Sequence, residues 1–225
     1  MKLLSTTAIA AIAMTTGNIA LAANYDPAPA ATPVVQAPIA DWNGPYGGLV
    51  LSHSTGVFGN DTNFPGDGEG SLEGGAAGIV LGYNFQSNNM VFGAELNYNW
   101  SDIAGAEECV NPAFDCGVNI DSFGSIRARA GYLISPKSLI YATLGAANAD
   151  IYAYTDGPIG ENGETRSVGG LLYGVGFEQM VTQNWNFRAA VIRHDFDEQD
   201  FDTDVTYTDV NVDFTTIEFG VTFNF

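Results

Sequence analysis

The chain has 225 residues, enough for one domain of ordinary size. It carries 26 acidic residues against 7 basic ones, a formal net charge of −19, so it cannot neutralise a run of phosphates and nucleic-acid binding is excluded. Charged residues make up only 15% of the chain and aromatic residues 12%, which also excludes a disordered acidic chain.

The first residues have the features of an export signal. Lys2 precedes an Ala-, Ile- and Met-rich run that ends in Ala20-Leu21-Ala22. A basic start, an apolar middle and a small-residue end are typical of a secretory signal peptide, so residues 1–22 are predicted to be cleaved. Residues 23–41 are predicted to form an extended periplasmic linker, because four prolines lie there among alanines: Pro27, Pro29, Pro33 and Pro38.

From residue 42 onward, alternating polarity and turn residues predict eight β-strands. They span 46–55, 73–85, 90–100, 120–134, 139–152, 168–181, 185–197 and 212–225. Short connections at 86–89, 135–138 and 182–184 alternate with long ones at 56–72, 101–119, 153–167 and 198–211. This asymmetry is typical of an outer-membrane barrel, so residues 42–225 are predicted to form an all-β, eight-stranded antiparallel up-and-down transmembrane β-barrel.

One face of each predicted strand is apolar and the other is polar or small. A membrane barrel turns the apolar face to lipid and the polar face to the lumen. The polar faces hold three acids and three bases, and we expect them to pair as a lumen network because a buried charge is costly unless paired. These residues are Glu95, Arg127, Arg129, Glu178, Arg188 and Glu218. The alternative is six solvated charges on the outer face of a soluble sandwich.

Aromatic residues fall near the predicted strand ends, where a membrane barrel places its interface girdles. They are Trp42, Tyr46, Tyr83, Phe85, Trp100, Tyr152, Tyr154, Trp185, Phe223 and Phe225. Core aromatics of a soluble domain would be scattered along the strands instead.

Cys109 and Cys116 lie in one predicted loop. In an exported protein two cysteines so placed are predicted to form a disulfide. Metal binding by the pair is the alternative, with no histidine nearby to complete a site.

Four segments of the predicted barrel share a pattern with a known family. They are Trp42-Asn-Gly-Pro-Tyr-Gly-Gly48, Phe123-Gly-Ser-Ile-Arg-Ala-Arg-Ala-Gly-Tyr132, Gly174-Val-Gly-Phe-Glu178 and Gly220-Val-Thr-Phe-Asn-Phe225. The chain thereby resembles the eight-stranded porin-family or opacity-type surface antigens of Gram-negative bacteria, over essentially all of residues 42–225. The resemblance implies that Phe225 belongs to the signal read by the barrel-assembly machinery. The chain departs from the family at residues 190–192, where Ala-Val-Ile replaces the usual Glu-Tyr-Arg.

The resemblance implies a major envelope protein located in the cell outer membrane, in a family where some members bind haemin and some are described as porins. Because eight strands leave an interior just filled by side chains, we predict a structural protein and surface antigen that contributes to envelope integrity, with a plugged lumen and no cofactor. Its expected partners are outer-membrane lipid, lipopolysaccharide and the barrel-assembly machinery. The alternatives are a narrow porin-type channel, for which the glycine-rich strands 73–85 and 168–181 could leave a gap, and a haemin- or cation-binding receptor.

Two sets of residues are candidates for ligand binding. His53 and His194, near the outer strand ends, are a hypothetical haemin site at the barrel mouth. The long connections are rich in acids, and Asp200, Asp202 and Asp204 have the spacing that starts a calcium loop, although its later Gly and Glu are absent. Divalent cations bridging to lipopolysaccharide phosphates are therefore a hypothesis, against the alternative of a solvated acidic surface.

An enzyme is not predicted. Ser52 and Ser54 are the only serines adjacent to His53, and neighbouring residues on a strand face opposite ways, so neither can pass a proton to that histidine. A group of Ser52 or Ser54 with His194 and Asp195 is the remaining arrangement to weigh.

Overall fold

The structure, a computed structural model, describes residues 40–225. The predicted signal peptide at 1–22, and all of the predicted linker except its last two residues, lie outside the described residues. Both therefore stay predictions. No helix within residues 40–225 is long and apolar enough to cross a membrane.

Residues 40–225 contain nine β-strands. They are β1 Gly44–Gly59, β2 Gly70–Ser87, β3 Met90–Glu108, β4 Asp115–Ser135, β5 Ser138–Gly157, β6 Gly160–Met180, β7 Trp185–Phe196, β8 Gln199–Asp202 and β9 Thr206–Asn224. Strands β1 to β7 pair antiparallel in chain order, and β9 pairs with both β7 and β1. Eight strands thus close a ring, and the short β8 is an addition that pairs with β9. The predicted eight-stranded antiparallel up-and-down barrel is confirmed.

The start of β1, the end of β9 and the short turns lie at one end of the barrel. Tyr46 near the start of β1 pairs with Asn224 at the end of β9. The turns at 88–89, 136–137 and 181–184 join strands at that same end. Outer-membrane barrels keep their short turns in the periplasm, so this is the periplasmic end and the opposite one is the outer end.

Three of the four predicted long loops, 101–119, 153–167 and 198–211, are mostly strand, and there the prediction was wrong; most of 56–72 is a loop, as predicted. β5 and β6 run as one paired hairpin from Asp150↔Ser167 to Gly157↔Gly160, leaving only residues 158–159 as its turn. β3 and β4 likewise stay paired as far as Glu108↔Asp115. Residues 198–211 contain β8 and the start of β9. Backbone pairing thus continues well beyond the predicted strand ends.

The polarity of the strands inverts between the two halves of the barrel, as β9 shows. In its periplasmic half Ile217 and Phe219 are 48% and 52% exposed on the outer wall, while Glu218 is buried in the lumen. In its outer half Val212 and Phe214 are buried inside. The periplasmic half is therefore built to face lipid, and the outer half has the apolar interior of a water-soluble protein.

The length of the strands agrees with this division. At ~3.4 Å per residue and a tilt of ~45°, the 20 residues of β5 rise about 48 Å, whereas the apolar band of such a barrel is ~25 Å tall. The barrel therefore projects beyond the membrane, by about half of its height at β5. Its interior there is one apolar cluster that includes Phe58, Leu72, Ile103, Ile120, Ile151, Leu172 and Phe214.

Candidate functional site

Glu95 on β3 is the centre of a buried charge network in the periplasmic half of the lumen. It is paired in register with Arg127 on β4, whose Nε donates to Glu95 Oε2 at 2.7 Å. Arg129 Nη1 donates to Glu95 Oε1 at 3.1 Å. From across the lumen, Arg188 Nη1 on β7 donates to Glu95 Oε1 at 2.7 Å. One carboxylate therefore joins three guanidinium groups from two sides of the barrel.

The other two acids complete the network. Arg129 Nη1 lies 2.9 Å from Glu178 Oε1, and Arg188 Nη2 lies 3.2 Å from Glu218 Oε1. All six side chains are almost fully buried. The structure thus brings together the six residues selected from the sequence, with three positive and three negative charges that compensate one another.

Two tyrosines belong to the network as well. Tyr46 Oη donates to Glu95 Oε1 at 2.6 Å, and Tyr141 Oη accepts from Arg188 Nη2 at 3.1 Å. The guanidinium carbon of Arg129 lies 4.2 Å from the centre of the Tyr141 ring. The prediction of Tyr46 in an interface girdle was wrong, since this residue is 3% exposed inside the barrel. Its even position on β1, shared with the inward Val50, was the signal that could have placed it.

Glycines leave the space that these tyrosine rings occupy. A Cβ atom added at Gly82 would overlap the ring of Tyr46, and one added at Gly176 would overlap the ring of Tyr141. The glycine-rich strands were expected to be the feature that could leave a gap for a channel. At these two positions they instead provide the room that the aromatic rings fill.

Trp42 closes the periplasmic end below the network. Its side chain is 1% exposed and packs with Leu133, Leu139 and Met180. Its backbone N–H donates to Gln86 Oε1 at 2.9 Å. Trp42 was predicted to lie in the interface girdle, and this was wrong. Other members of the predicted girdle do face outward and are exposed: Tyr83, Phe85, Trp100, Trp185 and Phe225.

Above the network the lumen is filled by aromatic and aliphatic side chains. The His194 ring stacks on Phe214 with ring centres 4.7 Å apart and lies edge-on to Phe123. At the outer mouth, Phe64 from the connection after β1 is fully buried, with its ring centre 4.8 Å from that of Tyr207. Buried side chains of the described residues thus lie in the lumen at several levels between the periplasmic end and the outer mouth.

The two histidines predicted to share a ligand lie on opposite sides of the barrel wall. His53 is exposed on the outside of β1, whereas His194 is 3% exposed inside the lumen. A haemin site built from this pair is excluded by that geometry. The alternation of side chains along β1 and β7 explains this difference. His53 is in a position of β1 that faces outward, and His194 is in a position of β7 that faces the lumen.

The three aspartates with calcium-loop spacing do not converge. Asp200 Oδ1 accepts from the backbone N–H of Asp209, and Asp202 Oδ1 accepts from Thr206 Oγ1. Asp204 Oδ1 accepts from Thr155 Oγ1 at 3.0 Å. Within residues 40–225, no group of three His, Cys, Asp or Glu side chains is placed to hold a metal ion. The described residues therefore do not bring these three aspartates together as one metal site, and cation binding by the acidic surface stays a hypothesis.

Cys109 and Cys116 form a disulfide that closes the connection between β3 and β4. Cys116 is fully buried and both residues belong to the apolar cluster of the outer half. The bridge therefore fastens this connection to the interior of the barrel.

Known proteins similar to this chain come from the outer membrane. The chain matches the family model "Outer membrane protein beta-barrel domain" over residues 13–225. It is 26% identical over 217 residues to the 31 kDa outer-membrane immunogenic protein of Brucella melitensis biotype 1, covering 88% of each chain. It is 30% identical over 171 residues to the 22 kDa outer membrane protein of Rhizobium leguminosarum bv. viciae, covering 74% of this chain and 70% of that protein.

A solved structure shares the fold. The crystal structure of the outer membrane protein OprG from Pseudomonas aeruginosa aligns with a TM-score of 0.50 and covers 81% of this chain and 96% of that chain. The sequences are 13% identical, so the likeness concerns the fold alone.

Proposed function

Because this chain belongs to the outer membrane protein β-barrel domain family and lies in the outer membrane, we propose that it is a structural envelope protein and surface antigen with a closed lumen. The observation that supports the proposal is the set of buried side chains at successive levels of the lumen in the described residues. Trp42, the charge network around Glu95, the layer of His194 and Phe214, and Phe64 at the outer mouth occupy successive levels.

Electrostatics supports a barrel that does not conduct. An ion entering from the periplasm would have to displace Trp42 and then separate guanidinium and carboxylate groups that are bonded to each other. Beyond that level it would lose its hydration among apolar side chains, which is costly for any charge. A narrow porin-type channel would need an opening at every one of these levels.

The proposed role has no catalytic step. Ser54 Oγ and Thr216 Oγ1 are hydrogen-bonded to each other at 2.9 Å, and the His194 ring is packed among aromatic rings. A serine activated by a histidine needs a direct hydrogen bond between the two side chains, and the described residues do not supply one for Ser54.

Conductance of the refolded protein in planar bilayers tests the closed lumen. Heat-shifted gel mobility confirms folding before each recording. We expect no resolved current steps, either from the native sequence or from Trp42→Ala, because the charge network and the apolar layer remain in that variant. Steady steps from the folded native protein would reject the closed lumen and favour the channel. Steps from Trp42→Ala alone would show that the lumen is closed by Trp42, which is then its periplasmic plug.

Envelope integrity is tested in cells. A strain that lacks the chain should admit detergents and large antibiotics more readily, and expression of the native protein should restore the barrier. A variant truncated before Phe225 serves as a control in which assembly is impaired. Unchanged permeability in the deletion strain would leave surface display as the remaining role.

A further inference from the structure

Two tyrosines lie next to each other on the outside of the barrel wall, on the part of β5 that projects from the membrane. Tyr152 and Tyr154 alternate along the strand with Ile151, Ala153 and Thr155, which are buried in the interior, so both rings are on the outer wall. The two ring centres are 5.6 Å apart, and the ring planes are 19° from parallel. This aromatic pair is therefore a surface feature and not part of the core.

Glycines on both neighbouring strands let the rings lie against the sheet. A Cβ atom added at Gly117 on β4 would overlap the ring of Tyr154. One added at Gly163 on β6 would be 2.8 Å from the ring of Tyr152. Both tyrosines are half-buried, because the sheet covers one side of the pair and leaves the other side open.

Hydrogen-bonding side chains surround the pair. Asn119 on β4 and Thr165 on β6 are the neighbours of Tyr152 in register. The Tyr152 hydroxyl donates to Glu161 Oε1 at 2.8 Å, and Glu161 is paired in register with Asp156. An open aromatic face among amide, hydroxyl and carboxylate groups fits a sugar, whose C–H groups pack on the rings while its hydroxyls form hydrogen bonds.

The height of the pair places it beside one part of the outer leaflet. The outward side chains of β5 change from apolar to polar between Ala146 and Asn148. Tyr152 lies beyond Ala146 by about 14 Å, at ~3.4 Å per residue and a tilt of ~45°, and the hairpin tip at Ile159 is about 17 Å farther out. The outer leaflet of the outer membrane consists of lipopolysaccharide. The pair therefore faces the oligosaccharide of that leaflet, above its acyl chains and below the hairpin tip.

We propose that Tyr152 and Tyr154 bind an uncharged hexose in the oligosaccharide of a lipopolysaccharide molecule next to the barrel. Charge selects the class of sugar, because Asp156 and Glu161 beside the rings repel phosphorylated and acidic sugars. Position selects the source, because the rings face sideways from the wall toward the surrounding lipid molecules. The inference rests on the proposed structural role in the envelope and gives that role a partner.

Saturation-transfer NMR on the refolded full chain in detergent micelles tests the sugar contact. The probes are the methyl glycosides of glucose, galactose, mannose and galacturonic acid. We expect at least one neutral glycoside to bind several-fold more tightly than that of galacturonic acid, with transfer to its ring C–H protons. Tyr154→Ala should weaken this binding about fivefold, because a packed ring is lost, and Tyr154→Phe should preserve it. Tyr173→Ala, at an exposed ring lower on the wall of β6, should change nothing.

Native mass spectrometry tests the source of the sugar. Lipopolysaccharide with a defined oligosaccharide and lipid A, which has none, are offered at equal concentration. We expect the native chain to retain several-fold more lipopolysaccharide than lipid A. The double variant Tyr152→Ala with Tyr154→Ala should retain equal amounts of the two. Heat-shifted gel mobility verifies the folding of each variant separately from binding.

Three outcomes would overturn the proposal. The first is no transfer to any neutral glycoside, and the second is equal or tighter binding of the galacturonic acid glycoside. The third is binding of a neutral glycoside with equal retention of lipopolysaccharide and lipid A, which would assign the tyrosines to a glycan from another source. None of these results depends on conductance or on the permeability of the envelope, so the proposed function stands or fails separately.

Discussion

Glu95 has more charged partners than any other carboxylate of the lumen network. It accepts from Arg127, Arg129 and Arg188, and also from the Tyr46 hydroxyl. Glu178 and Glu218 each contact fewer of these groups. Removing Glu95 leaves three buried guanidinium groups with two acids, whereas the complete network is neutral.

We predict that Glu95→Ala lowers the free energy of unfolding by about 3–5 kcal/mol, because it leaves buried positive charge without compensation. Glu164→Ala, which removes the partner of Arg166 in a partly exposed pair, should cost less than about 1 kcal/mol. Urea unfolding in detergent micelles, followed by gel mobility, measures both. Similar losses in the two variants would show that the lumen network contributes no more than a surface pair.

Phe225 gives a prediction about assembly. It is 76% exposed, its ring lies edge-on to Phe223, and its backbone N–H donates to the Pro45 carbonyl. Because the side chain contributes little to the interior, Phe225→Ala should fold normally in detergent. In cells we expect a several-fold lower amount in the outer membrane, measured by fractionation, because we predict that Phe225 belongs to the signal read by the assembly machinery. A similar defect in refolding in vitro would indicate a structural role instead.

The pairing of neighbouring residues in this network could be predicted from the sequence, and the contacts across the lumen could not. Glu95 and Arg127 lie on consecutive strands, so alternation and the antiparallel pairing of neighbouring strands bring them together. The bond from Arg188 to Glu95 depends on how the barrel closes, which no local pattern contains. Tyr46 differs from both. Its position in the alternation of β1 indicated an inward side chain, but its aromatic character and its place near a strand end led to the prediction of an interface residue.

At the scale of elements, the outer halves of the strands are the main difference between prediction and structure. Val210, Val212 and Phe214 alternate with polar residues, as expected of a strand with one buried face. Val212 and Phe214 lay within the predicted strand 212–225, whereas Val210 fell in the predicted acid-rich loop 198–211, because the prediction required the apolar face of a strand to point outward. The alternation of apolar and polar residues was present in the sequence. It was overlooked because the apolar residues face the interior here, whereas they face lipid in the membrane-facing half.

The segment before β1 is an element whose importance sequence reasoning underestimated. We predict that Trp42→Ala lowers the free energy of unfolding by about 3–5 kcal/mol, the range for a buried large aromatic residue. Trp185→Ala removes a ring that is 49% exposed on the outer wall and should cost less. Urea unfolding should be monitored by gel mobility, because removing a tryptophan changes the fluorescence of the protein. Equal losses would mean that the periplasmic plug adds no stability beyond that of an interface residue.

At the scale of the whole molecule, the barrel has a membrane part and a part that projects from the cell. The β5–β6 hairpin reaches its tip at Pro158 and Ile159, where Ile159 is 97% exposed. Its strands are paired up to Gly157 and Gly160, so backbone pairing fixes the register of the hairpin as far as its tip.

An epitope tag inserted between Pro158 and Ile159 should be labelled by antibody on intact cells without impairing folding, because both neighbours are at the tip of the hairpin. The same tag between Pro136 and Lys137, in the turn at the opposite end, should be labelled only after the outer membrane is opened. Labelling of the second tag on intact cells would show that the barrel has the opposite orientation to the one described.

The paired outer extensions place residues from distant parts of the chain side by side. Asp115 on β4 pairs with Asp156 on β5, which pairs with Glu161 on β6, and all three are exposed. An antibody that binds such a row of carboxylates recognises a discontinuous epitope, which exists only while the strands remain paired. Antisera raised against the boiled protein would therefore lack antibodies to epitopes of this kind.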